Sequence, residues 1–346
     1  MINNWVKVWL LLGILMIFMQ IFLGGITRLT GSGLSITKWD IVTGAIPPLN
    51  QGEWIRTFEL YKATPQYQKI NQGMDLSEFK FIFFWEYLHR LWARSMGFVF
   101  LIPFLFFLLR GWLDRKLRSE LLVVVLLAGI VGIFGWIMVA SGLVNRPWVN
   151  AYKLSLHLGL ALITISYLVW VYLDYTQVYK QEHYKVGTRY SKWFLILVCF
   201  QILLGGMMSG MKAGLMYPSF PLMNHHLIDP VLFKAESWQL KHFIDYDVYP
   251  FMSALVQVLH RCTAVILLFY FVTILVTMSK SFSFSKNNIY SWIAIVLLFQ
   301  ITIGILTLIN CKGRIPVGLG IFHQMFAIFL LMSSLVWYYK ERKTIP

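Results

Sequence analysis

Charge is what this chain of 346 residues has least of. Asp, Glu, Lys and Arg make up only 13% of it, about half their share in an ordinary globular domain. So few charges cannot clothe a water-soluble body. Acidic residues are the scarcer kind, fifteen against thirty Lys and Arg, which leaves a net charge of +15. Cysteine is nearly absent as well: Cys199, Cys262 and Cys311 stand far apart, with no CxxC among them. That excludes a disulfide framework, a zinc knuckle and the CxxCH attachment of a c-type haem. No Walker loop, GxGxxG or Ser-His-Asp arrangement occurs, so nucleotide binding and hydrolysis have no support.

What the chain does have is apolar surface. Hydrophobic residues are 58% of it and mean hydropathy is +0.66, which makes the bilayer its solvent. Disorder and nucleic-acid binding are thereby excluded as main themes, and the basic excess reads as an orientation signal. Apolar stretches recur over 8–26, 88–109, 121–143, 152–173, 193–210, 253–278, 288–309 and 317–338. Each is near the ~20 residues that cross a hydrocarbon core. The first lacks a small-residue cleavage pattern and reads as a retained helix, not a signal peptide.

Lys and Arg set the expected orientation. Lys7; Arg110, Arg115, Lys116 and Arg118; Lys180, Lys185, Arg189 and Lys192; Lys280 and Lys286; and Lys340, Arg342 and Lys343 fall on one side, fourteen in all. The two short loops opposite carry four: Arg146, Lys153, Lys312 and Arg314. Both termini are therefore expected in the cytoplasm or matrix. The long loops 27–80 and 211–252 then lie outside, and the first is long enough to fold over the outer mouth of the bundle.

The chain repeats itself. Gln20-Ile-Phe-Leu-Gly-Gly returns as Gln201-Ile-Leu-Leu-Gly-Gly, and Gly33-Leu34 as Gly214-Leu215 at the same offset of 181. Glu86-Tyr-Leu-His-Arg returns as Gln257-Val-Leu-His-Arg, and His157 and His323 follow matching Gly135 and Gly304. The expected fold is an all-α integral membrane protein of eight transmembrane helices in two tandem four-helix bundles. They would be related by pseudo-two-fold symmetry along the membrane normal, with boundaries at 1–178 and 179–346.

The repeat singles out four of the eight histidines. His89, His157, His260 and His323 each fall in the first turn or two of an even-numbered stretch, two per half at similar depth. Two imidazoles approaching one iron from opposite faces are what a b-type haem needs. Zinc would want a third or fourth ligand, and none repeats in that role. The alternative is that an intramembrane histidine bonds to a neighbouring helix or lines a polar cavity, though ionisable groups at that depth tend to be functional. His183, His225, His226 and His242 fall in loops and read as solvated surface.

Arg90 and Arg261 follow the first histidine of each half, with Arg94 a turn after Arg90. A guanidinium fork suits a haem propionate; snorkelling toward headgroups is the other reading. Glu86 lies three residues before His89 on the same face, where the second half has Gln257. A carboxylate there can relay protons or stabilise positive character at a carbon being oxidised, or it can simply pair with Arg90 or Arg94.

These residues resemble the haem A synthase family of cytochrome oxidase assembly, and the likeness covers nearly the whole chain. It rests on Thr27-Arg-Leu-Thr-Gly-Ser-Gly-Leu-Ser-Ile-Thr-Lys-Trp39, Gly44-Ala-Ile-Pro-Pro48, Phe79 through Arg90, and Gly135-Trp-Ile-Met-Val-Ala-Ser-Gly-Leu143 leading to His157. In the second half it rests on Ala213-Gly-Leu, Phe220-Pro-Leu-Met223, His260-Arg261, Gln300 through Leu308 and His323-Gln324. The resemblance implies an oxidoreductase that oxidises the C8 methyl of haem O to formyl through a hydroxymethyl intermediate, giving haem A. It places substrate haem in the N-terminal half, near Glu86 with His89, His157, Arg90 and Arg94. It places haem b, the cofactor, on His260 and His323, with Arg261 beside a propionate.

Expected partners are haem O, membrane lipid, haem O synthase and an electron donor, with a homo-oligomer also consistent and nucleic acid excluded. Residues 27–80 lack the cysteine pair of some bacterial members, which puts this chain in the branch shared by proteobacteria and mitochondria. No Arg-rich transit segment precedes the first helix, so a bacterial inner membrane is expected. Two other classes explain part of the pattern. A di-haem cytochrome b that oxidises quinol accounts for the histidines but not for Glu86 against Gln257. A non-catalytic haem carrier needs no oxidant at all.

Overall fold

The computed structural model describes residues 2–37, 43–143, 146–177, 187–277 and 289–343. Trp39, His183, Lys180, Lys185, Lys280, Lys286 and the expected boundary at 178/179 lie outside them. Among the described residues every extended element is helical, and eight helices are long and apolar enough to cross a membrane.

The chain forms two compact units, 1–176 and 177–346. The first contains α1 (Asn4–Leu29), α2 (Gln51–Lys62), α3 (Pro65–Lys69), α4 (Leu76–Leu109), α5 (Arg115–Gly142) and α6 (Ala151–Thr176). The second contains α7 (Thr188–Gly210), α8 (Ala213–Met216), α9 (Leu240–Ile244), α10 (Phe251–Thr277), α11 (Ile289–Ile309) and α12 (Val317–Lys343). Within the first unit α1 packs on α4 and α6, and α5 on α6; within the second α7 packs on α10 and α12, and α11 on α12. Each unit thus joins its spanning helices in the same order.

Bulky side chains fill each interior while other apolar residues, such as Ile102, Leu126 and Phe269, point outward. In the first unit Trp9 of α1 meets Phe100 and Phe107 of α4 with ring centroids 4.7 and 5.3 Å apart. In the second, Phe194, Phe271, Tyr290 and Trp337 converge from four helices. They close over Glu341, a buried carboxylate that accepts from Tyr290 Oη at 2.9 Å, Gly187 N at 3.2 Å and Trp337 Nε1 at 3.3 Å. Composition offered no sign that this residue, between Lys340 and Arg342, would turn inward.

One boundary departs from expectation. The apolar stretch at 88–109 is only the inner part of α4, which starts twelve residues earlier. Asp75 and Glu78 form a capping box there, each side chain accepting from the other's main-chain N–H, at 2.8 and 3.0 Å. The added turns bury Phe79, Ile82 and Phe83 against α2, so packing outside the apolar window sustains the helix. His89 consequently lies well inside α4, not in its first turns.

Candidate haem sites

The second unit brings two predicted histidines face to face. His260 on α10 and His323 on α12 have ring centroids 6.4 Å apart with planes at 73°. Two metal–imidazole bonds of about 2 Å each, with a ring radius added at either end, span about 6 Å. The spacing fits one iron between two imidazoles.

A glycine makes room for each ring. A Cβ on Gly205 of α7 would lie 3.3 Å from His260 Cε1, and one on Gly304 of α11 would lie 2.7 Å from His323 Cε1. Each ring also faces a main-chain carbonyl one turn before its glycine, that of Gln201 or Gln300. Both Nδ1 atoms are buried and close no hydrogen bond of ordinary geometry. A metal-bound histidine uses its second ring nitrogen toward just such a carbonyl. The donor set and its surroundings therefore fit a bis-imidazole haem. Among the described residues no three His, Cys, Asp or Glu side chains gather as a metal cluster would require.

The first unit repeats the device. A Cβ on Gly24 of α1 would lie 3.1 Å from His89 Cε1, and one on Gly135 of α5 would lie 3.1 Å from His157 Cε1. The carbonyls of Gln20 and Val131 face these rings. His157 Nδ1 is again buried without a partner, whereas the Gln20 amide nitrogen lies 3.3 Å from both nitrogens of His89. Gln20, Gln201 and Gln300 stand in one register on three helices, a signal readable in the sequence, with Val131 as the exception.

The two units diverge around Glu86, which is 2% exposed. Its Oε2 accepts from Ser35 Oγ at 2.7 Å and Ile36 N at 2.9 Å, and its Oε1 accepts from Arg90 Nη2 at 2.5 Å. The same Nη2 also donates to the Ile36 carbonyl at 3.2 Å. All of Glu86's partners donate, so the pocket is built for an acceptor. Residue 36 plus the repeat offset is Tyr217, and there Gln257, fully buried, donates its amide to the Tyr217 carbonyl at 3.0 Å. Both units thus tie the same turn to the same helix position, one with a carboxylate and one with an amide.

The arginines also differ in use. Arg261 donates through its Nη atoms to the carbonyls of Ser219, Pro221 and Leu222 at 2.7, 2.8 and 3.2 Å, leaving a buried Nε without a partner. Its fork holds the loop between α8 and α10, and Nε with one remaining Nη2–H is left to meet a propionate. Arg94 is half-buried one turn beyond Arg90. Of the loop histidines, His225 and His226 are exposed, and His242 is half-buried with Nδ1 2.7 Å from the Ser237 carbonyl.

Comparison with known proteins identifies the family. The model of the cytochrome oxidase assembly protein family matches residues 7–335. The chain is 38% identical to the haem A synthase of Nitrosospira multiformis over 95% of its own length and 91% of that protein. It is 36% identical to the haem A synthase of Flavobacterium psychrophilum over 96% of each, and 36% identical to that of Wolbachia pipientis wMel over 99% and 94%. With four histidines seated on four glycines in eight spanning helices, the chain belongs to the cytochrome oxidase assembly protein family.

Proposed function

We infer that this protein is a haem A synthase, oxidising the C8 methyl of haem O to formyl through a hydroxymethyl stage. The observation that carries the reading is the difference between the two units at one shared position. An amide at Gln257 makes the turn-to-helix tie as well as a carboxylate at Glu86 does, so the charge is not needed for the fold. A buried ion pair is a weak source of stability, and leaving one charge of such a pair unmatched costs about 3–5 kcal/mol. Glu86 and Arg90 are better explained by chemistry in the first unit.

In this reading haem O occupies the first unit between His89 and His157, with Arg90 and Arg94 on its propionate side. His260 and His323 hold haem b in the second, which when bound supplies one-electron redox chemistry. Glu86, three residues before His89, provides a fixed negative group that stabilises positive character at the carbon being oxidised or takes up its proton. The glycine seats let each ring lie close against the neighbouring helix. Methyl to formyl removes four electrons and adds one oxygen atom, so an external oxidant and an oxygen source are consumed alongside what an electron donor delivers. A haem O synthase supplies the substrate, and the protein sits in a bacterial inner membrane with both termini cytoplasmic.

The test is to express the protein in membranes that make haem O and identify the extracted pigments by mass. Haem A and its hydroxymethyl precursor are expected. A di-haem cytochrome b or a haem carrier would yield neither. Glu86→Gln, which gives the first unit the residue of the second, leaves Arg90 without its carboxylate and should destabilise the first unit by up to about 3–5 kcal/mol. It should nevertheless keep haem b in the second unit while haem A falls to a small fraction of wild type. A normal haem A yield would reduce Glu86 to a structural partner of Arg90.

A further inference from the structure

We propose that Ser35 is a positioning residue for the reaction, holding the Glu86 carboxylate in one orientation through its hydroxyl. The inference rests on the role given to Glu86 above. Ser35 is fully buried, and its Oγ lies 2.7 Å from Glu86 Oε2 and 3.3 Å from the Ile82 carbonyl. A hydroxyl has one proton to give, and the shorter contact to the charged acceptor takes it. Ser35 N in turn donates to the Ser32 carbonyl at 3.1 Å, and Gln66 Nε2 donates to the Gly31 carbonyl at 2.7 Å. The turn that carries Ser35 is thereby braced by the first outer loop, from a residue thirty-one positions farther along the chain than Ser35.

Ser35 differs from the other two donors to Glu86. The N–H of Ile36 belongs to the main chain, and main chain at that turn is met in the second unit too, through Tyr217. Arg90 has a counterpart in Arg261. The position equivalent to Ser35 is Met216, which can donate nothing, and the position equivalent to Glu86 is Gln257, which needs no donor there. Serine and glutamate change together between the halves. Where the acid is, the hydroxyl is; where the amide is, the hydroxyl is gone. That pairing is expected if Ser35 serves the carboxylate and not the turn.

The consequence is geometric. With Oε2 held by Ser35 and Ile36 and Oε1 by Arg90, rotation of the carboxylate is stopped at both oxygens. A side chain so held keeps its alignment with a substrate carbon, and small misplacements of a catalytic group are costly in rate. Removing the hydroxyl leaves the carboxylate in its pocket with Oε2 held by the Ile36 N–H alone and Oε1 by Arg90, so its orientation is less tightly fixed.

Two measurements on the full-length protein test this. The first is infrared spectroscopy of protein carrying ¹³C-carboxyl glutamate and no haem O, in which the band removed by Glu86→Gln identifies that carboxylate. Ser35→Ala should move this band, and Ser35→Thr, which keeps a hydroxyl, should return it. The second is steady-state oxidation of haem O. Ser35→Ala should lower kcat by about ten- to hundredfold, as expected for one bond to a charged group, with KM unchanged, and Ser35→Thr should recover most of the loss. Should Ser35→Ala unfold the first unit, Ser35→Cys keeps a weak donor in nearly the same volume and should give a smaller band shift and a smaller loss of kcat. An unmoved band in the alanine variant, with or without lower activity, overturns the proposal. If Glu86→Gln makes haem A normally, the role of Glu86 fails first and this inference with it. If Glu86→Gln is inactive while Ser35→Ala behaves as wild type, the inference alone fails.

Discussion

At the residue scale, each key histidine depends on the absence of a side chain on the helix beside it. Gly24, Gly135, Gly205 and Gly304 share this role on four different helices, and Gly304 has the least room. A methyl group there would start 2.7 Å from His323 Cε1, closer than packed atoms tolerate, so the ring or the helix must move. Gly304→Ala should therefore lose most of the low-spin haem b signal, approaching His260→Ala and His323→Ala, which each remove an axial ligand. Gly318→Ala, with nothing within 4 Å of the new methyl, is the control and should keep the full signal. Reduced-minus-oxidised spectra of purified protein read all four variants. Full haem b in both histidine variants would leave the second unit as scaffold.

At the scale of elements, the first turns of α4 and the short helices α2 and α3 form one small, largely aromatic core. Tyr61 is buried there, its ring 5.2 Å from that of Phe79. Its hydroxyl donates to Gln66 Oε1 at 3.2 Å and accepts from Asn71 Nδ2 at 2.7 Å. Burial pushes the phenol up to about 12, and the bond from Asn71 only partly offsets this. The unfolded phenol ionises near pH 10, so the folded segment binds the extra proton between those values. Its stabilisation is complete below about pH 10 and is lost as pH rises through about 12. Hydrogen exchange of residues 51–69 should accordingly speed up above pH 10 in the wild type. Tyr61→Phe should flatten that rise while exchanging faster at neutral pH, having given up two bonds of about 1 kcal/mol each. An equal alkaline rise in both proteins would rule out Tyr61 as its source.

At the scale of the whole molecule, orientation follows from where the basic residues fall. Fourteen Lys and Arg against four predict that the side carrying the termini is the cytoplasmic one. A reporter active only in the cytoplasm should work when fused after residue 346 and fail when inserted in the outer loop near residue 227. The opposite pattern would invert the protein and place both long loops, with the turn that grips Glu86, on the cytoplasmic side.

The sequence by itself determined what depends on composition and period. Scarce charge and recurrent apolar stretches are enough to require spanning helices, because hydrocarbon leaves the backbone no other partner. The internal repeat was enough to separate His89, His157, His260 and His323 from the other histidines, and Glu86 from Gln257. Tertiary structure decided what depends on contact between distant residues. The grip of Ser35 on Glu86 spans 51 positions, the tie from Gln66 to Gly31 spans 35, and the burial of Glu341 joins residues up to 154 apart. The early start of α4 belongs with these, since its outer turns are sustained by a capping box and by α2, not by lipid. A hydropathy pattern records how a residue meets its solvent, and these residues meet one another instead.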